Sequence, residues 1–124
     1  MTWYARFFSL KSQKMPNPLT PVNFDEFVLS HRFAVVHFWA PWNDNDRLMN
    51  QLLSFQVPGK WRRQVAFASV NIDLPEHVEL IRRHKVFDVP FLTFYRDGWL
   101  IQTSLGMHGP AIITKYLQAL VNSR

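Results

Sequence analysis

Asn43-Asp44-Asn45-Asp46 is the densest run of potentially reactive side chains in this sequence. Four consecutive oxygen-bearing groups suit a hard cation such as Ca²⁺ or Mg²⁺. The run lacks the rest of a calcium loop, however, with no following glycine and no bidentate glutamate at the required spacing. A dedicated site needs more ligands than this turn offers, so no metal is expected. The same residue types suit a helix start better. Asn43 or Asp44 can accept from the unpaired N–H groups of a first turn. Asp44 and Asp46 complement the positive end of the helix dipole there.

The 124-residue chain contains no cysteine. Disulfides, thiolate metal sites and cysteine nucleophiles are therefore all excluded. The turn also offers no Ser or Thr to act as a nucleophile, so a hydrolase is not expected. No cofactor is expected either. The net charge of +5 favours acidic partners in general. The basic clusters Lys60/Arg62/Arg63 and Arg82/Arg83/His84/Lys85 nevertheless read as a solvated loop and a helix end, and no nucleic acid is expected. No stretch approaches the ~20 apolar residues of a membrane span. The start of the chain lacks the features of a signal peptide, which gives a cytoplasmic expectation. Trp3, Phe7 and Leu10 share a helical face with Arg6, Lys11 and Lys14 nearby. They allow either weak contact with an anionic membrane surface or packing onto the domain.

The elements that must position the turn follow from pattern. Three prolines in MPNPLTPV, residues 15 to 22, make an extended connector. This divides an arm and connector, 1–22, from a single domain, 23–124. Asn23 and Glu26 resemble a capping box before a helix over 24 to 31. FAVVHFWA (33 to 40) reads as a strand buried on both faces. Leu48, Met49, Leu52, Leu53 and Phe55 support a helix over 44 to 57, ended by Pro58-Gly59. VAFASVNI (65 to 72) is a second buried strand. Asp73 and Glu76 flank a helix start that leads through Val78, Leu80 and Ile81. FLTFY and WLIQTSL, joined by Asp97-Gly98, make a hairpin. Ala111 to Val121 closes the chain as an amphipathic helix. The order α, β, α, β, α, β, β, α gives an α/β fold, with a mixed sheet of four to five strands flanked by helices on both faces.

These residues, in this order, resemble the thioredoxin family. VVHFWAPWNDNDR looks like the family's strand and active-site turn, V-V-D-F-W-A-x-W-C-G-P-C-[KR]. VNID (70 to 73), Val89-Pro90, Phe94 to Gly98 and Gly106 continue the match. The resemblance implies a thioredoxin fold and a cis-proline at Pro90. It also implies thiol-disulfide oxidoreductase activity, but the two redox cysteines fall at Asn43 and Asp46, which neither attack nor resolve a disulfide. The family's buried aspartate falls at His37, its neighbouring lysine at Ser69, and the proline of its second helix at Gln51. That helix is therefore expected to run straighter.

The resemblance places His37 beneath Asp46. An unsatisfied buried imidazole costs ~1–3 kcal/mol, so His37 needs Asp46, a backbone group or Ser69 as partner. Family members also bind extended polypeptide across a groove whose matching positions are Trp42, Val89, Pro90, Leu105, Gly106 and Met107. Pairing through main-chain hydrogen bonds needs no thiol. The expectation is a redox-inactive domain that binds a protein or peptide, adaptor-like or chaperone-like. Membrane-surface binding through the arm is the alternative. The oligomeric state is left open.

Overall fold

A computed structural model describes residues 16–123. The arm carrying Trp3, Phe7 and Leu10 lies outside the described residues. A five-stranded sheet runs in the order β1-β3-β2-β4-β5. Its strands are β1 (Asn17–Pro18), β2 (Phe33–Trp39), β3 (Ala66–Asn71), β4 (Phe91–Arg96) and β5 (Trp99–Leu105). The helices are α1 (Phe24–Ser30), α2 (Asp44–Gln51), α3 (Gly59–Arg62), α4 (Val78–Arg83) and α5 (Pro110–Val121). β1, β3 and β2 are mutually parallel, whereas β4 pairs antiparallel with both β2 and β5.

Every residue of the central strand β2 is buried. Alternation along it therefore feeds two cores. Phe33 and Val35 join Leu92 and Phe94 against Met49, Leu53 and Leu117 of the helical layer formed by α2, the turn after it and α5. Ala34, Val36 and Phe38 face the other way, against Phe24 and Val28 of α1 and Leu80 of α4. Phe38 has no exposed surface, and truncating such a ring to Ala costs ~3–5 kcal/mol. The β4–β5 turn needs left-handed backbone at both central positions. Asp97 and Gly98 supply it at φ 51° and 84°. A Cβ on Gly98 would also stand 2.5 Å from a methyl of Leu29, so a side chain there would have to displace Leu29 as well as hold a strained positive φ.

Several local expectations give way to other contacts. The Pro-rich connector is part of the sheet. Asn17 and Pro18 pair with Ala68 and Ser69, and Leu19 N–H donates to Ser69 O at 2.8 Å. Pro18 is tolerated there because β1 is an edge strand. Asn23 does not cap α1 with its side chain. Its Oδ1 instead accepts from Thr20 N–H at 2.7 Å, while its own N–H reaches Thr20 Oγ1, closing a local turn. The helix after Gln51 is not straight α-helix but widens into a π turn, Leu52–Gln56. Leu52 and Leu53 are consecutive and both buried, and the wider turn lets both reach the core. Trp61 is not in a solvated loop. It is buried within α3 with the Lys60 ammonium 4.9 Å from its ring centre.

His84 departs furthest from its expected place as a cation on a helix end. It is buried between Phe24 and Phe38. Its Nδ1 lies 2.8 Å from Leu80 O, and its Nε2 lies 2.7 Å from the Tyr95 hydroxyl. A neutral ring fits this pair, with Nδ1–H donating to the carbonyl and Nε2 accepting from the phenol. Burial lowers the His84 pKa from 6.5, chiefly by desolvation, and burial likewise raises that of Tyr95. Because the folded-state pKa of His84 is depressed, the unfolded chain binds the extra proton first. The His84 contribution to stability is present above about pH 6.5 and is lost as pH falls toward the folded-state pKa. The urea midpoint should therefore fall between pH 7 and pH 5. His84→Gln should show a shallower fall, and a slope identical to the parent's would contradict this account.

Candidate functional site

Register brings four loops to one end of the sheet. Trp39, the last residue of β2, pairs with Asn71, the last of β3. Phe38 pairs with Phe91, the first residue of β4, and Phe91 pairs with Leu105, the last of β5. The segments after β2, after β3, before β4 and after β5 must therefore emerge together. They carry Trp42, Asp73, Phe87 to Pro90, and Gly106 with Met107. Two hydrogen bonds stitch them across: Trp42 Nε1–H to Asp73 Oδ1 at 3.1 Å, and Gly106 N–H to Pro90 O at 2.8 Å. The Val89–Pro90 peptide bond is cis.

α2 begins directly after β2 because Asn43 is a working N-cap. Its Oδ1 accepts from Asp46 N–H at 3.0 Å. Asp44 faces solvent and pairs with Arg47, whose guanidinium also donates to Pro41 O. Asn45 is exposed. The four residues of the turn thus divide between a cap, a surface ion pair, an exposed amide and one residue that turns inward.

That residue is Asp46, which is fully buried. Its Oδ2 accepts from Ala40 N–H at 2.9 Å and its Oδ1 lies 2.9 Å from His37 Nε2. His37 is also fully buried, and its Nδ1 lies 2.8 Å from Asn50 Oδ1. Asn50 sits one helical turn after Asp46, so both reach the same ring from one face of α2. A carboxylate can only accept, so Nε2–H donates to Asp46, while the Asn50 side-chain amide meets Nδ1. The result is an imidazole clamped between a carboxylate and an amide. Ser69 stands beside His37 in the sheet register, but its hydroxyl donates to Pro16 O at 2.7 Å. It fastens the connector rather than the histidine.

The cluster is closed. Each polar side-chain atom of His37 and Asp46 is engaged, both residues have no solvent exposure, and the chain contains no cysteine. Nothing in it can attack a substrate or exchange a thiol. No group of three or more His, Cys, Asp or Glu side chains among the described residues is arranged to hold a metal ion.

This end exposes large apolar side chains beside the exposed carboxylates of Asp73 and Asp88. Trp42 is 65% exposed, Leu105 58% and Phe87 91%. Met107 is half-buried against the α2/α5 core. Val89 is buried, and its N–H already donates to Asp88 Oδ1 at 2.8 Å. That contact takes up the main-chain donor that an incoming strand would need. Asp73 does not cap α4, which starts through a 3₁₀ turn without a side-chain cap. It holds the indole of Trp42 instead. Asn50, Phe87 and Asp88 are members of this site that sequence reasoning missed. The i, i+4 spacing of Asp46 and Asn50 was the available signal for the first. Exposure of Phe87 left none.

The thioredoxin family model matches residues 15–119. The chain is similar to monothiol glutaredoxin-S17 of Arabidopsis thaliana, at 30% identity over 66% of this chain and 16% of that protein. It is similar to monothiol glutaredoxin-4 of Saccharomyces cerevisiae, at 26% over 92% of this chain and 43% of that one. It thus spans less than half the length of these relatives. Among solved structures, mitochondrial thioredoxin 3 of Saccharomyces cerevisiae in its oxidised form superposes with a TM-score of 0.73 at 22% identity, covering 85% of this chain and 95% of that one.

Removing one partner from a buried cluster that holds a carboxylate costs ~3–5 kcal/mol, whereas replacing all members with apolar groups costs much less. Asp46→Ala should lose about that much stability in urea titrations. A His37→Leu/Asp46→Leu/Asn50→Leu variant should recover part of the loss. A triple variant no more stable than Asp46→Ala would show that the three side chains do not satisfy one another as a unit.

Proposed function

The chain belongs to the thioredoxin family, and we propose that it serves as a redox-inactive module that binds a protein partner at the sheet end around Trp42. The absence of cysteine fits a redox-inactive member. The observation that carries the binding reading is the fixed, exposed indole. Trp42 presents most of its surface to solvent while its N–H is tethered to Asp73. A tethered aromatic loses little conformational freedom on binding and supplies a large apolar contact. Phe87 and Leu105 are exposed on neighbouring segments of the same sheet end, and Met107 adds an adaptable thioether there.

The Asp88 contact shapes the mode of binding. With Val89 N–H satisfied internally, a partner segment gains little by pairing as a strand at that position. Side-chain contact with Trp42, Phe87 and Leu105 supplies the affinity instead. An apolar segment of a folded partner, adaptor-like or chaperone-like in use, suits such a surface.

Capture of proteins from the source cell by the parent and by Trp42→Ala/Phe87→Ala tests this reading. The double variant should lose partners that the parent retains, while its circular dichroism stays the same. Identical partner sets would contradict it. Insulin reduction with dithiothreitol should proceed at the uncatalysed rate in the presence of the chain, and turnover above that rate would overturn the redox-inactive assignment.

A further inference from the structure

The two edges of the sheet are treated differently. β1 is two residues long and ends in Pro18, which has no N–H to offer a new strand. β5 is seven residues, WLIQTSL, with no charge and no proline, and all of it except Ser104 is exposed. Trp99 is 75% exposed, Leu100 45% and Ile101 36%. Edges of folded sheets are usually blunted by lysine, proline or an inward-pointing charge. The one device present on β5 is the register shift opposite Phe94 and Tyr95, which leaves Gln102 to Leu105 in regular pairing. Beside this edge runs a mostly apolar cavity of about 520 Å³ between β5 and α5, lined by Phe94, Ile101, Ile112, Tyr116 and Leu120 with Lys115 at its wall.

We propose that β5 pairs antiparallel with β5 of a second copy of this chain, forming a two-fold dimer with a continuous sheet. Two features select a second copy as the occupant. The first is the absence of charge on β5, so two net-basic copies meet there without like charges directly opposed. The second is self-complementarity, which a two-fold interface requires. One edge carries both a projecting Trp99 and an open, mostly apolar cavity, so a single axis through β5 brings the projection of each copy toward the other's surface. Antiparallel pairing carries the Trp99 end of one strand to the Leu105 end of its mate, apolar against apolar. Trp99, Leu100, Ile101, Leu105 and Ile112 together expose on the order of 500 Å² per copy, a large part of the about 800 Å² per partner of a stable interface. Leu105 borders both this edge and the surface at Trp42, but Trp99 and Ile101 belong to the edge alone, so each proposal can fail without the other.

Sedimentation equilibrium of the full chain over a concentration series tests the proposal. The expected result is a reversible approach to twice the 14.7 kDa chain mass. Trp99→Glu/Ile101→Lys should weaken association about tenfold or more, a change of ~1.4 kcal/mol or more. Hydrogen exchange of the parent supplies a readout that does not depend on a variant folding. The β5 amides should gain protection as concentration rises, while those of β1 should not. A monomer at every soluble concentration would overturn the proposal. So would a dimer whose β5 amides show no concentration dependence, which would place the contact elsewhere.

Discussion

The contact between His37 and Asp46 is the constraint around which the rest of this sheet end is arranged. A histidine in the middle of a fully buried strand is tolerable only if both ring nitrogens find partners. α2 supplies them from consecutive turns, Asp46 to Nε2 and Asn50 to Nδ1. This fixes the height and rotation of α2 over β2. The remaining carboxylate oxygen takes Ala40 N–H and so holds the segment that leads to Trp42. Asn43 then caps the helix, and Trp42 is left outside with its indole turned to Asp73.

The same geometry explains how a turn that carries chemistry elsewhere in the family becomes a structural joint here. A dithiol alternates between two covalent states and needs solvent access for exchange. A buried carboxylate paired to imidazole has one low-energy arrangement and no access. The positive end of the α2 dipole and the Nε2–H of His37 both complement a carboxylate at position 46. Such a pair adds little net stability relative to an apolar core. Its value lies in specifying one position for the helix start and hence for the aromatic surface above it.

Much of the fold was legible in the sequence, because β2, β3 and the β4–β5 hairpin have strong local signals. FAVVHFW has no polar break except His37, and Asp97-Gly98 demands left-handed backbone. The less legible parts were decided by contacts between distant residues. The Asn17–Pro18 pairing and the Ser69 hydroxyl bond depend on β3, far along the chain. The burial of His84 depends on Tyr95 and Phe24, and no feature of the Arg-Arg-His-Lys run distinguishes a core imidazole from a terminal cation. The pairing of His37 was one of several open choices in the sequence. The helical spacing of Asp46 and Asn50 becomes decisive only once α2 is known to lie over that strand. The Asp88 contact that occupies Val89 N–H is a loop detail with no sequence pattern behind it.

The measurement that tests this account most directly is ¹⁵N NMR of the His37 ring in the parent and in Asp46→Asn. The account predicts that Nε2 of the parent carries a proton hydrogen-bonded to Asp46, and that Asp46→Asn shifts the ring ¹⁵N resonances. Identical His37 spectra in the two proteins would contradict it, because the carboxylate would then not be what holds the ring.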